Sequence, residues 1–408
     1  MKFAQSTLLI MLSALLISCT SRAEKLQSKK EKISRQNAQA LYKDYIFPQV
    51  KKSDLALEAY IKNLPLERKI AQLFIENLEG NKTFRSYETF SDMTGKADDT
   101  PIVAGGYLFF SYNLSDTAEE TASYIKSIRT YTEKNNQIQP FLAIDQEGGW
   151  VNRLKKLTGK LPSQEEVARN YDIAGAYDLY SLQAKKMSQL GFDMNLAPVI
   201  EVCTDDNRDF LDGRSFGDCR QTASYGIACV NAYENNGIAT VIKHFPGNTN
   251  TDPHTGLPEI TLSKEELEKL LRPFRDVCHH APAGLLMSHA RTSALDPDTP
   301  ACLSKNWVSD VLRSQYGYQG IIFSDDIFMG ALASNGFPPE KAAVLAIEAG
   351  VDCIMTSEKR FAKQAKLLYQ KALEDSAFES RINQSLKRIL DYKIKAGLFE
   401  LPLKGESK

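Results

Sequence analysis

The sequence predicts an α/β chain folded as a single (β/α)8 barrel of the TIM type. Three observations predict it. Short apolar runs alternate with longer helical patterns, there are eight such runs, and four of them turn ionisable at their C-terminal ends. Continuous apolar strands separated by helices imply a parallel sheet covered on its faces. Eight units in about 350 residues fit the barrel. An open doubly wound sheet is the alternative. No Gly-x-Gly-x-x-Gly follows an early strand, which weakens the dinucleotide-binding version of that sheet.

The apolar runs cover residues 73–76, 105–110, 140–145, 194–199, 239–244, 284–289, 320–325 and 352–355. Helical patterns occupy 118–135, 174–190, 264–279 and 339–349. The third run ends in Asp145, the fifth in Lys243-His244, the sixth in His289 and the seventh in Asp325. Barrel active sites lie at the carboxyl ends of the strands, so these endings mark one face as a site.

The N-terminus lies outside this pattern. Lys2 precedes an apolar run over residues 8–17, too short for a typical membrane span and suited to a signal-peptide core. The run ends in Leu16-Ile17-Ser18-Cys19, which resembles the bacterial lipobox. A plain secretory signal with a chance cysteine is the alternative. The expected organisation is a lipoprotein signal peptide at 1–18, a tether at 19–52, the barrel at 53–400 and a tail at 401–408. Acyl chains on Cys19 would tether the protein to a bacterial membrane on its extracytoplasmic side, periplasmic or cell-surface. The expected state is a monomer.

The formal net charge is −1, so no global field steers the chain toward nucleic acid. Six cysteines would remain after Cys19, with no Cys-x-x-Cys spacing. Cys203 and Cys219 flank one polar loop. They could close it in an oxidising compartment or stay free, because spacing does not give connectivity.

Four motifs carry the chemistry. The segment KHFPGNTNTDPHTGLPEI, residues 243–260, follows a buried-strand pattern and turns abruptly polar, with Asp252 and His254 in its Gly/Asn/Pro-rich part. All five histidines fall between His244 and His289. AIDQEGGWVNRL, residues 143–154, places Asp145 after a strand, where it can accept from ligand hydroxyls, and brings Arg153; a structural turn with a salt bridge is the competing reading. NLAPVIEV, residues 195–202, leads to GRSFG, where Arg214 suits either a pocket or the surface. GIIFSDDIFMGAL, residues 320–332, puts Asp325 and Asp326 at the end of an apolar strand, where a carboxylate is costly unless used or paired. Adjacent extended residues point oppositely, so one of the two should face the barrel axis.

Taken together and in this order, DQEGG, NLAPV, RSFG, KHFPG, Asp-x-His and SDD resemble glycoside hydrolase family 3, in its β-N-acetylhexosaminidase branch. The resemblance runs from about Leu66 to Phe399 and includes LDPDTPACLS at residues 295–304. It implies Asp325 as nucleophile, His254 as general acid/base and Asp252 as the partner that orients it. It implies Asp145, Arg153, Arg214, Lys243 and His244 as residues that hold N-acetylglucosamine. It implies no metal and no cofactor. The activity implied is retaining exo-β-N-acetylglucosaminidase action on peptidoglycan fragments or chitooligosaccharides. Other readings are a phosphorylase or another β-glycosidase on the same scaffold, a non-catalytic sugar-binding lipoprotein, and a metal-dependent hydrolase using His244, Asp252, His254 and His289. The chain departs from the family at Asn248-Thr249, where a histidine and glycine are usual. It also departs in a shorter loop to Asp252, in Pro253 within the dyad, and in Trp150 after the double glycine.

Overall fold

The computed structural model describes residues 54–402. Two compact units follow one another along the chain, Met1–Ala59 and Tyr60–Lys408. Of the first, residues 54–59 are described and are helical. The expected signal peptide, the lipidation residue Cys19, the tether and the tail beyond residue 402 lie outside the described residues.

The second unit holds eight parallel strands: β1 Phe74–Asn77, β2 Gly106–Phe109, β3 Phe141–Ile144, β4 Met194–Asn195, β5 Ala239–Phe245, β6 Gly284–Met287, β7 Ile321–Phe323 and β8 Ile354–Thr356. Each expected run overlaps one of them, with β1, β5 and β8 ending one residue beyond it. Neighbours in the sheet follow chain order from β1 to β7, with β8 beside β1. A parallel bridge between Phe323 and Cys353 brings the two ends together. Around it, the Asp352 N–H donates to the Ile322 carbonyl at 2.8 Å and the Ser324 N–H to the Cys353 carbonyl at 3.0 Å. This sequential order excludes the doubly wound sheet.

Helices α1 Ala118–Lys134, α2 Ile173–Leu190, α3 Cys219–Glu234, α4 Lys264–Cys278, α5 Pro339–Ala349, α6 Ala362–Glu374 and α7 Ser376–Lys395 wrap the strands. Their ends are chemically marked. Thr117, Asp172, Asp218 and Ser263 accept N–H groups of the first turns they cap. Gly350 ends α5 with φ 116°, a left-handed turn open to glycine. Two connections are irregular. Between β1 and β2 only Phe90–Thr94 is helical, and Glu88 of that connection accepts the Phe361 and Ala362 N–H groups at the start of α6. Between β6 and β7, Asn306–Gln315 is wound as a π-helix, with Tyr316 N–H donating to the Val311 carbonyl at 2.9 Å.

The barrel interior alternates large and small residues. Phe141 of β3 and Phe323 of β7 meet edge to face with centroids 5.9 Å apart. Gly106 of β2 and Gly284 of β6 make room for them. A Cβ on Gly106 would lie 2.1 Å from the Phe141 ring, and one on Gly284 would lie 2.7 Å from the Phe323 ring. Alternate strands fill alternate layers in such barrels.

The end of the barrel where the strands begin is held by charge. Asp352, fully buried, pairs with Arg313, with Arg381 at 2.8 Å and with Arg388 at 3.1 Å. Burial alone would raise its carboxyl pKa; the three guanidinium groups outweigh that and hold it below its usual value. Lys393 of α7 enters the same end. Its Nζ donates to Gln72 Oε1 at 2.6 Å and lies 5.7 Å from the Phe141 centroid.

Burial pushes the Lys393 ammonium down to about 7 from 10.5. Between those values the unfolded chain holds a proton that the folded chain has released. Stability therefore falls as pH falls from 10.5 to about 7, and below that the penalty is complete. Lys393→Met removes this titration. Denaturant unfolding of both proteins at pH values spanning the window should show the variant gaining on the wild type toward neutral pH, by on the order of a few kcal/mol. Parallel stability curves would refute the assignment.

Candidate active site

The strands' C-terminal ends bring the β3 and β5 residues into direct contact. Lys243 Nζ sits 2.6 Å from Asp145 Oδ1 and 2.6 Å from Glu147 Oε1. Arg214 grips Glu147 with two bonds, Nε to Oε2 at 2.8 Å and Nη2 to Oε1 at 3.0 Å. The four side chains form one neutral network: two cations and two carboxylates. Glu147 is its centre and only 2% of its side chain is exposed. Burial alone would raise the Glu147 carboxyl; Arg214 and Lys243 override it and hold it far below the usual carboxylate range. Burial likewise would lower Arg214 and Lys243, yet their carboxylate partners raise both. Glu147 is therefore a fixed anion and unsuited to act as a conventional general acid.

The motif residues beside this network set its geometry. Gln146 exchanges backbone bonds with the Asn195 side chain, at 3.0 Å each way, tying β3 to β4. Gly148 turns the chain at φ 101°, and a Cβ there would meet the Pro162 carbonyl oxygen at 2.0 Å. The turn leaves Trp150 exposed at the tip of the hairpin Gln146–Gly148/Val151–Asn152. Arg153 lies with its guanidinium carbon 5.6 Å from the Phe110 centroid. Its buried Nε has no hydrogen-bond partner among the described residues, which suits a group awaiting a ligand.

His244 follows Lys243 on β5. Its Nδ1 lies 2.6 Å from Glu201 Oε1, so the carboxylate fixes which ring nitrogen carries a proton. Glu201 is 1% exposed and also accepts the Asn248 N–H at 2.6 Å. A carboxylate already engaged by donors at both oxygens is likewise unsuited as the conventional acid.

The structure brings Asp252 and His254 into contact. His254 Nδ1 is 2.7 Å from Asp252 Oδ1, and the same oxygen accepts the His254 backbone N–H at 2.9 Å. Those two bonds, the backbone one foremost, lower the Asp252 carboxyl pKa. The His254 side chain is 74% exposed. Its loop is tied on both flanks. Asn250 accepts the Asp209 and Phe210 N–H groups at 3.0 and 3.2 Å, and Pro253 accepts the Ala331 N–H at 3.2 Å. A Cβ on Gly330 would stand 2.6 Å from the His254 carbonyl oxygen. The loop thus rests on the segment that follows Asp325. Its asparagines, which the sequence offers only as loop formers, are its fastenings.

Asp325 and Asp326 diverge as alternation requires. Asp326 Oδ1 accepts the Phe328 N–H at 3.0 Å and the Ser357 N–H at 2.9 Å, binding the β7 end to β8. Burial raises its pKa against those bonds. Asp325 accepts the Asp326 N–H at 2.8 Å through one oxygen. His289 is buried, with Nε2 3.0 Å from the Asp326 carbonyl and Nδ1 3.2 Å from Cys302 Sγ. It supports the β7 turn. Among the described residues no cluster of three or more His, Cys, Asp or Glu side chains is arranged for a metal ion. Cys203 and Cys219 are free thiols.

Sequence reasoning offered Glu147 and Glu201 only as conventional carboxylic acids to replace His254, and did not foresee that they anchor Lys243, Arg214 and His244. A parity signal was present for Glu147. It stands two residues after Asp145 in an extended segment, which puts both carboxylates on one side. For Glu201 the signal was an acid closing an apolar strand pattern.

Residues 66–392 match the family described as "Glycosyl hydrolase family 3 N terminal domain". The chain is 29% identical over 326 residues to beta-hexosaminidase A of Pseudoalteromonas piscicida, covering 71% of this chain and 53% of that protein. It is 33% identical over 267 residues to a beta-hexosaminidase of Tolumonas auensis, covering 63% and 76%. In structure it is similar to a family 3 beta-N-acetylglucosaminidase from Paenibacillus sp. str. FPU-7, with TM-score 0.73, 27% identity, and coverage of 84% of this chain and 65% of that one. It thus spans about half of the Pseudoalteromonas protein and somewhat less than two thirds of the Paenibacillus chain. By its matched residues and its fold, this chain belongs to glycosyl hydrolase family 3.

Proposed function

We propose that this protein is a retaining exo-β-N-acetylglucosaminidase. The observation that carries the reading is the pairing of an Asp252–His254 dyad with an Asp325 whose carboxylate, among the described residues, has the Asp326 N–H as its hydrogen-bond donor. The Asp325 carboxylate attacks the anomeric carbon as the glycosidic C–O bond breaks. His254 gives its proton to the departing oxygen, leaving a glycosyl-enzyme. His254 then takes a proton from water, the water oxygen attacks the anomeric carbon, and Asp325 leaves as a carboxylate. An imidazole titrates near neutrality in its unperturbed form, about pH 6.5, which suits both steps. Asp252, held anionic by its hydrogen bonds, steadies the ring and its charged form. Asp145, Arg153, Arg214, Lys243 and His244 hold the sugar. The relatives named hexosaminidase and N-acetylglucosaminidase support that sugar. Peptidoglycan fragments or chitooligosaccharides are the proposed substrates, and Cys19 the proposed lipid anchor on the outer side of a membrane.

Aryl glycosides of N-acetylglucosamine, glucose and xylose, assayed with and without phosphate, test the reading. Release from the N-acetylglucosaminide alone, with free sugar as product in both buffers, is expected. A sugar-1-phosphate product would instead assign a phosphorylase.

Asp325→Ala should abolish turnover with the fold intact, while Asp326→Asn keeps the covalent step. Retention of most activity in the Asp325 variant would remove it as nucleophile. His254→Ala should slow poor leaving groups most, by ~10²–10⁴. Azide should restore turnover and yield a β-glycosyl azide. Unchanged kinetics on good and poor leaving groups alike would sink the dyad assignment. For the anchor, Cys19→Ser should move the protein from the detergent phase to the aqueous phase. Equal partitioning of both forms would reject lipidation.

A further inference from the structure

We infer that Glu201 is a positioning residue that holds two parts of the site at once: the His244 ring in the sugar pocket and the base of the loop that carries the dyad. This rests on the glycosidase reading given above.

The argument begins with acceptor geometry. Glu201 Oε1 faces His244 Nδ1 at 2.6 Å, and Oε2 faces the Asn248 backbone N–H at 2.6 Å. Asn248 Nδ2 approaches both oxygens, at 3.2 and 3.4 Å, and the His244 N–H reaches Oε1 at 3.4 Å. Every group around this carboxylate is a donor. Only an ionised acid offers two acceptor oxygens in this arrangement. An amide would turn its NH2 toward one of the donors, and an arm would be lost.

The Glu201 backbone is held as well. Ser215 Oγ, from the GRSFG segment, donates to the Glu201 carbonyl at 2.6 Å. A cavity of ≈ 490 Å³ lies beside Glu201, Pro246 to Thr251 form one wall of it, and Leu267, Leu270 and Phe274 of α4 line it too. The base itself, Pro246 to Asn248, is buried, and beyond it the loop becomes exposed at Asn250 and Thr251. The buried bonds to Glu201 fix its start, and the more exposed Asn250 bonds steady its middle. Asn248 stands where the family's second histidine is expected. In this chain the loop is therefore fastened by an amide that can donate to both oxygens.

One series of variants tests this. In wild type, Glu201→Gln, Asn248→Ala, His244→Ala and the Glu201→Gln/His244→Ala pair, kcat and KM are measured on aryl N-acetylglucosaminides with good and poor leaving groups. Glu201→Gln should raise KM about tenfold, the low end for loss of one hydrogen bond to a charged group. It should also steepen the dependence on the leaving group. Asn248→Ala should steepen that dependence while leaving KM near wild type. The pair should have the KM of His244→Ala alone, because Glu201 acts on the sugar through that ring. Glu201→Asp, which keeps two acceptors, should recover part of the loss. Multiplying KM effects in the pair, or a Glu201→Gln enzyme with a lowered Tm and unchanged kinetics, would overturn the inference. Should the wild type itself fail on these substrates, the glycosidase reading falls separately. The clasp is then judged by the proton NMR signal of His244 Nδ1–H, identified by its loss in His244→Ala. Its persistence unchanged in Glu201→Gln would overturn the proposal.

Discussion

The Lys243 ammonium, clamped between Asp145 and Glu147, is the interaction on which the rest of the site depends. It is nearly excluded from water, and it joins the ends of β3 and β5, strands that are not neighbours in the barrel. An unpaired charge there would be expensive. The cost is met because Glu147 also takes both arms of Arg214, so two cations and two carboxylates neutralise one another. Removing any member would strand a charge among the others. The network therefore forms a fixed floor at these strand ends and, among the described residues, holds Asp145 through one oxygen.

Around that floor the family motifs divide their labour by residue rather than by segment. In DQEGG, Asp145 pairs with Lys243, Gln146 ties β3 to β4, Glu147 balances charge, and Gly148 permits a close turn against Pro162. In SDD, Asp325 stays open while Asp326 binds the strand end to Ser357. In RSFG, Arg214 answers Glu147 and Ser215 steadies Glu201. Such a division explains why the motifs read as blocks although few of their side chains face the pocket.

Much of the barrel was legible from the chain because burial writes a simple pattern. Each of the eight apolar runs overlaps a strand, and helices α1, α2, α4 and α5 fall within a residue of their periodic stretches. The short helix Phe90–Thr94 and the π-wound Asn306–Gln315 were not legible, since neither keeps an ordinary helical period over a useful length. The dyad was readable because Asp-x-His is local. The partners of Arg214 and His244 lie 67 and 43 residues away in sequence, and only folding brings them together. Arg214 read alone as a pocket or surface residue; its bidentate grip on a buried glutamate depends on β3 and the loop after β4 meeting.

The Asp352 cluster bears on how such a chain is made. Synthesis is directional, and domains form as their segments leave the ribosome. Asp352 emerges before Arg381 and Arg388, which belong to the final helix. Until that helix arrives, the carboxylate at the start of β8 has Arg313 as its one guanidinium partner among those three. The strand that completes the barrel is thus electrostatically unfinished while the polypeptide is still being extended. Helix α7 therefore acts as a latch on the seam where β7 and β8 meet.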